Sequence, residues 1–220
     1  MKTEDIGLLF DMDGVIMDNH RYHFLSWQKL AEKYEISITE DFYRKQMNGR
    51  TFMGIMGVLF RKEISPEKGR QIAYEKEALY RELYYSHLAP TEGLTDFLAA
   101  AKSYGIPMVI GTSAPVENVD FTLDGLSIRS YFKGVIDERA VTKGKPDPEV
   151  YLKCASLANR IPENCIVFED AISGIKAGKA AGAKVIALAT SHKKEELEAD
   201  LIVDNFENIN LEVIKEVLRS

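Results

Sequence analysis

The 220-residue chain is poor in cysteine, with only Cys154 and Cys165, and neither lies in a C-x-x-C or a Cys/His cluster. That spacing argues against a thiolate zinc site and fits a reduced, cytoplasmic compartment. One thiol falls in an expected helix and the other opens an apolar run, so both read as small buried hydrophobes rather than reactive groups. Basic charge is also in deficit: 28 Lys and Arg against 34 Asp and Glu leave a net charge of −6. A surface of that sign is unsuited to nucleic acid or anionic membrane, so neither is expected as a partner. No stretch approaches the roughly 20 apolar residues of a membrane span. The opening Met1-Lys2-Thr3-Glu4-Asp5 is too acidic for a secretory signal. Histidine is scarce and unclustered, no G-x-x-x-x-G-K-[ST] is present, and there is neither an internal repeat nor a low-complexity tract. The expectation is a soluble, monomeric protein of one or two domains. At 45% hydrophobic and 28% charged it can bury a substantial core.

What the chain does have is a rhythm. Short continuous apolar runs fall at 6–10, 108–110, 166–168, 185–188 and 201–203. Continuous rather than alternating runs are the mark of strands buried on both faces of a parallel sheet. Helical patterns at 119–126, 148–158, 171–181 and from Leu211 separate the later runs, which indicates an α/β fold. The rhythm breaks once. Between the first and second runs lie only helical stripes: His23, Phe24, Trp27, Leu30, Ala31 and Tyr34; then Phe52, Ile55, Met56, Leu59 and Phe60; then Ile72, Leu79 and Leu83. Ser65-Pro66 reads as an N-cap followed by proline at the first helical position. Tyr74, Tyr80, Tyr84 and Tyr85 read as packing at helical spacing. The expected architecture is a Rossmann-like parallel-sheet core, residues 1–18 and 89–220, with a small all-helical cap, residues 19–88, inserted after the first strand.

Polar residues gather where the strands end. The first run leads into Asp11-Met12-Asp13-Gly14-Val15, the second into Gly111-Thr112-Ser113, and the third into Glu169-Asp170. Ligands of open parallel sheets bind beyond the carboxyl ends of the strands. Any one of these residues alone fits an ordinary turn or helix cap. Three successive strand ends carrying carboxylate, hydroxyl and carboxylate point instead to one crevice.

Two carboxylates as close as Asp11 and Asp13 repel, so one is driven toward its protonated form unless a cation intervenes. A metal can then hold Asp11 ionised as a nucleophile while Asp13, partly protonated, serves as general acid and then base. Glu169 and Asp170 add hard oxygen donors, and an all-oxygen site beside a phosphate suits Mg2+. Lys143-Gly144-Lys145-Pro146-Asp147-Pro148 is a proline-stiffened basic turn with Asp147-Pro148 as an expected helix entry. Taken alone it is a solvent-exposed turn; beside an acidic crevice its lysine can hold an anionic substrate. The spacing of Gly174, Gly178 and Gly182 matches no phosphate fingerprint and is read as letting a helix lie close to the sheet.

Asp11-Met12-Asp13-Gly14-Val15, the strand end at Thr112, Lys145-Pro146-Asp147-Pro148 and Phe168-Glu169-Asp170-Ala171 with Gly174-Ile175 resemble the four ordered motifs of the haloacid dehalogenase superfamily. The resemblance spans almost the whole chain, and the helical insertion resembles the cap of the β-phosphoglucomutase-like subgroup. It implies that Asp11 forms an aspartyl-phosphate and that Asp13 protonates the leaving oxygen and then activates the acceptor. Thr112, with Ser113 beside it, and Lys145 would bind the transferring phosphoryl group. The Mg2+ ligands would be Asp11, the backbone carbonyl of Asp13, and Asp170, with Glu169 in or next to the shell. Dehalogenases of the superfamily lack the second aspartate, so Asp13 points to phosphoryl transfer. The partner implied is a small phosphorylated metabolite, with the cap closing over it on hinges near 18–20 and 87–91.

Three functions follow: a phosphatase, a sugar-phosphate mutase, and a non-catalytic phospho-ligand-binding module. Competent residues at every motif position disfavour the last. Tyr22-His23-Phe24 with Trp27, and Lys76, resemble cap positions of β-phosphoglucomutase, which makes His23 and Lys76 candidate substrate contacts; packing beside Trp27 is the alternative for His23. The cap loop Asn48-Gly49-Arg50-Thr51-Phe52 departs from that pattern. The arginine expected after Gly-x-Ser aligns with Phe52, and Arg50 is the remaining cation. Bidentate phosphate binding tolerates little displacement. The balance favours a phosphatase of small phosphorylated sugars or related metabolites.

Overall fold

The apolar runs become parallel strands. In the computed structural model, which describes residues 3–47, 52–60 and 64–220, six strands form one sheet. They are β1 (Gly7–Phe10), β2 (Met108–Gly111), β3 (Gly134–Ile136), β4 (Cys165–Glu169), β5 (Lys184–Leu188) and β6 (Leu201–Val203), in the order β3-β2-β1-β4-β5-β6. Every neighbouring pair is parallel. Every residue of β1, β2 and β4 is buried, while the edge strands β3 and β6 are only half-buried. β3 is a strand that the apolar runs did not reveal: it opens on Gly134 and offers only Val135 and Ile136, whereas β6, equally short and half-buried, is the unbroken Leu201-Ile202-Val203.

The helices are α1 (His20–Glu32), α2 (Glu40–Phe42), α3 (Phe52–Phe60), α4 (Pro66–Tyr84), α5 (Leu94–Ser103), α6 (Val116–Gly125), α7 (Glu149–Ala158), α8 (Ile172–Ala180) and α9 (Leu211–Val217). The chain divides into two compact units, Met1–Asp18 with Leu88–Ser220, and Asn19–His87. The first unit is the α/β sheet. Alternate residues of each strand face opposite sides. Leu9, Val109, Val167 and Val185 enter one apolar cluster with Val150, Tyr151 and Cys154 of α7 and Ile175 of α8. On the opposite face Phe10 stacks on Phe168 at 4.7 Å, and Phe97 and Phe206 close around them. Burial pushes both thiols up, Cys165 to about 12, as inert core cysteines require.

The three glycines expected to seat a helix divide the work. Gly178 fits the expectation: an added Cβ would come within 3.0 Å of Val185 Cγ2 and 3.2 Å of Val167 Cβ. Gly182 ends the helix region with a φ of 90°. Gly174 makes room for a side chain, not for the sheet, because a Cβ there would overlap the Glu169 carboxylate.

The second unit packs α1, α3 and α4 around Trp27, Leu30, Ile55, Met56, Ile72 and Leu79. Ser65 caps α4 by accepting from Lys68 N at 3.3 Å, with Pro66 as its first residue. The tyrosines do not form one packing stripe. Tyr80 and Tyr84, four apart, are buried, whereas Tyr74 is 67% and Tyr85 77% exposed. Tyr85 follows Tyr84 directly and is therefore rotated about 100° away from the buried face.

Candidate active site

The sheet order reverses direction at its centre. From β1 the chain builds outward through β2 to β3; it then returns to the other side of β1 as β4 and continues to β5 and β6. The carboxyl ends of β1 and β4 flank this switch point, where a crevice opens. Asp11 follows β1, Glu169 closes β4 and Asp170 comes next, while Thr112 follows β2 on the other flank. A hydrogen bond from Asp11 N to Phe168 O, 2.9 Å, ties the first two strand ends together.

Charge is concentrated here. Among the described residues, oxygens of Asp11, Glu169 and Asp170, all buried, lie within 4.8 Å of one another. Lys145 Nζ reaches into the group, 2.7 Å from Asp11 Oδ1 and 2.5 Å from Glu169 Oε1. Three carboxylates against one ammonium leave a formal charge of −2. Burial pushes Asp11 well above the usual carboxylate range; Lys145 opposes the shift, and Glu169, Asp170 and Asp13 add to it. For Lys145, burial favours the neutral amine, but Asp11 and Glu169 outweigh it and raise its pKa. The lysine is therefore a fixed cation. Lys143 stays at the surface, 3.5 Å from Asp147, so Lys145 is the lysine of this turn that meets the acids.

The remaining strand-end residues occupy different settings. Thr112 is buried, and its Oγ1 accepts from Ala114 N at 3.0 Å, which leaves the hydroxyl proton to donate elsewhere. Ser113 is exposed. Asp13 is partly buried in a tight turn where Gly14 has a φ of 77° and Gly14 N donates to Met17 O at 2.8 Å. The side chain of Asp13 is not a member of the buried acidic group; its metal role in the resemblance is through the backbone carbonyl.

Several supporting residues carry no motif. Glu169 Oε1 accepts from Tyr151 OH at 2.6 Å as well as from Lys145, and Oε2 accepts from Asp170 N at 3.1 Å and Ala171 N at 3.2 Å. Thr190 Oγ1 donates to Gly14 O at 2.7 Å, and Ser191 Oγ donates to Asp170 O at 2.8 Å. Consecutive hydroxyls after β5 thus tie down the turn beyond Asp11 and the turn at Asp170. Glu149 Oε2 accepts from Thr142 N, Thr142 Oγ1 and Lys143 N at 2.8–2.9 Å, pinning the turn that carries Lys145. Lys153, Thr142 and these N–H groups hold its carboxyl down to about 2. The expected helix entry lies one residue later than Asp147: Pro148 is the N-cap of α7, and Asp147 Oδ1 accepts from Glu149 N at 3.1 Å.

In the helical unit, α1 and α4 bring His23 and Lys76 together, with Lys76 Nζ 2.6 Å from His23 Nδ1. Lys76 is buried, pairs with Glu77 at 2.9 Å and lies over the rings of Trp27 and Tyr80. His23 stacks on Tyr80 at 4.1 Å with the rings nearly parallel. Asn19 Nδ2 donates to Tyr80 OH at 2.6 Å. Phe52 opens α3 and stacks on Trp27 at 5.8 Å. Arg50 lies outside the described residues. Also among the described residues, no helix is long and apolar enough to cross a membrane.

A doubly wound parallel sheet with a helical insertion after β1, and with buried carboxylates and a lysine at its switch point, defines a phosphoryl-transfer enzyme. The chain belongs to the haloacid dehalogenase-like hydrolase family, whose model matches residues 7–182. It is 33% identical over 218 residues to the phosphorylated carbohydrates phosphatase of Thermotoga maritima, covering 96% of this chain and 99% of that one. It is 31% identical over 218 residues to the β-phosphoglucomutase of Bacillus subtilis, covering 96% and 94% respectively. Among solved structures, a family IA haloacid dehalogenase hydrolase from Entamoeba histolytica matches with a TM-score of 0.92 at 30% identity, over 98% of this chain and 100% of that one.

Proposed function

We infer that the protein is a Mg2+-dependent phosphatase of small phosphorylated sugars or related metabolites that works through an aspartyl-phosphate on Asp11. The observation that carries this reading is the Lys145 ammonium lodged between Asp11 and Glu169. In the first step an Asp11 oxygen attacks phosphorus, the bond from phosphorus to the sugar oxygen breaks, and Asp13 gives its proton to that oxygen. In the second, Asp13 takes a proton from water, the water oxygen bonds to phosphorus, and the Asp11 carboxylate is released with inorganic phosphate. Lys145 and the Thr112 hydroxyl, with Ser113 at the exposed side, offset charge on the phosphoryl oxygens as it passes.

The all-oxygen donor set and the formal charge of −2 fit a divalent cation. Asp11, Asp170 and the Asp13 carbonyl are the ligands we assign, with Glu169 next to them. Mg2+ there would supply positive charge for the phosphoryl oxygens and keep Asp11 ionised. His23 and Lys76 are the helical unit's candidates for recognising the organic part of the substrate, with Arg50 as a third.

A mutase needs a second phosphate grip, and this separates it from a phosphatase. Phe52, at the position where an arginine is expected, has its ring against Trp27, which supports water as the acceptor. The His23–Lys76 pair favours the second reading, a β-phosphoglucomutase-type mutase. The two are tested by supplying β-glucose 1-phosphate with a trace of glucose 1,6-bisphosphate and Mg2+ and following both products. Phosphate release without isomerisation is expected. Glucose 6-phosphate forming much faster than phosphate would establish the mutase instead.

A further inference from the structure

We propose that Tyr151 is a positioning residue whose buried hydroxyl sets where the Lys145 ammonium rests between Glu169 and Asp11, an inference that rests on the phosphoryl-transfer reading of this site. Tyr151 lies on α7, six residues beyond Lys145, and is fully buried. Its OH donates to Glu169 Oε1 at 2.6 Å, and that same oxygen accepts from Lys145 Nζ at 2.5 Å. The ammonium also lies 5.1 Å from the centre of the Tyr151 ring. One residue therefore touches both the lysine and its counter-ion.

The two carboxylates compete for one cation. Lys145 donates to Glu169 Oε1 and to Asp11 Oδ1, at 2.5 and 2.7 Å. An oxygen that already accepts a phenol proton has less negative charge to offer the ammonium. Without the phenol, Lys145 is the one side-chain donor left to Glu169 Oε1 among the described residues, and the cation is drawn toward Glu169 and away from Asp11. The other oxygen cannot compensate by rotation, because Asp170 N and Ala171 N hold Oε2. A carboxylate has about four acceptor sites, and protein donors occupy four in Glu169. The consequence is a division of labour: Glu169 serves Lys145 and the strand-end turn, while Asp11 and Asp170 face the cation site. Lys145 is poised because Tyr151 weakens one of the two claims on it.

Tyr151→Phe removes the hydroxyl and keeps the ring, its packing and its face toward the ammonium. Three readouts on the full chain separate a positioning role from a structural one. The first is the Lys145 ammonium resonance in 15N-lysine protein, assigned by its loss in Lys145→Ala. The second is turnover of p-nitrophenyl phosphate with Mg2+. The third is Tyr151→Phe in the Lys145→Ala background.

The expected result is a shifted Lys145 resonance, with kcat lowered about tenfold and KM within about twofold of wild type, the pattern of a transition-state interaction lost. No further loss is expected in the Lys145→Ala background. An unmoved resonance overturns the proposal, whatever happens to the melting temperature. So does a moved resonance with unchanged kcat, or an undiminished loss in the Lys145→Ala background. If the wild type turns over no phosphomonoester while the resonance still moves, the phosphoryl-transfer reading fails and the placement of Lys145 by Tyr151 stands.

Discussion

Gly174→Ala sets two physical effects against each other, and the sign of the result decides between them. Gly174 sits in α8, where alanine is favoured over glycine by about 1 kcal/mol. Propensity alone therefore makes the variant more stable. The structure requires the opposite, since the new Cβ would overlap both oxygens and the carboxyl carbon of Glu169. The helix cannot simply retreat: Gly178, one turn on, is seated against Val185 and Val167, and lifting it opens a gap over the central strands. The carboxylate must then move, away from Tyr151, Lys145, Asp170 N and Ala171 N. A hydrogen bond to a charged group contributes about 1.5–3 kcal/mol, so losing two costs about 3–6 kcal/mol. Net of propensity, the loss is about 2–5 kcal/mol. At about 2–4 °C per kcal/mol for a chain of this size, the melting temperature should fall by roughly 10 °C. Thermal melts followed by circular dichroism give the stability, and p-nitrophenyl phosphate turnover well below the transition gives the activity of the folded variant. Activity should fall too, because Lys145 loses Glu169, one of the two carboxylates that position it. A melting temperature equal to or above wild type would refute the locked Glu169 carboxylate.

Asp11→Asn should abolish turnover while the protein stays folded, and in metal-free buffer at neutral pH it should melt higher than wild type. The reason for the second effect is that burial holds the Asp11 pKa high, so its ionised form is a cost that an amide avoids; a lower melting temperature would contradict it. Lys145→Ala should lower kcat by about 10²–10³-fold, the usual loss for one preorganised charge-stabilising donor. Unchanged kinetics would remove Lys145 from the site. With EDTA, stability should decline as pH rises above the ordinary aspartate range, because a folded-state pKa raised above the ordinary value favours folding at low pH, and that contribution is lost as pH climbs through it. Mg2+ should reverse that slope in thermal melts, and a melting temperature equally insensitive to pH with and without Mg2+ would count against the cation site.

Parts of this molecule were legible because their physics is local. Buried on both faces, β1, β2 and β4 read as unbroken apolar runs. β3 has three half-buried residues and no such run. Helix α5 carried a readable pattern that the strand-centred reading passed over: Leu94, Phe97, Leu98 and Ala101 are all buried at helical spacing. The proposed site residues are likewise legible locally, since Asp11, Thr112, Glu169 and Asp170 sit at strand ends and Lys145 in a stiff turn. The supporting hydroxyls are different. Thr190 and Gly14 lie 176 residues apart, and Tyr151 differs from any core tyrosine only by what its OH meets. No periodicity encodes a hydrogen bond between distant segments. Gly174 falls between these cases: its place in a glycine series was visible, but the carboxylate occupying its missing side chain was not.

The electrostatics of the site link stability to function. Burial and the neighbouring carboxylates raise the Asp11 pKa, and Lys145 opposes that shift without outweighing it. The ionised form of Asp11, which is the proposed nucleophile, is therefore costly to the fold. In the proposed mechanism two additions would offset that cost: a divalent cation beside Asp11 and Asp170, and an anionic phosphoryl group to share Lys145. The cation would offset the excess negative charge and favour the ionised form of Asp11. The phosphoryl oxygens then give Lys145 an acceptor besides Asp11, freeing an Asp11 oxygen lone pair for phosphorus. An open metal site and a lysine held by Tyr151 and Glu169 would make nucleophile activation depend on both arrivals. Such dependence would limit idle reactivity of Asp11.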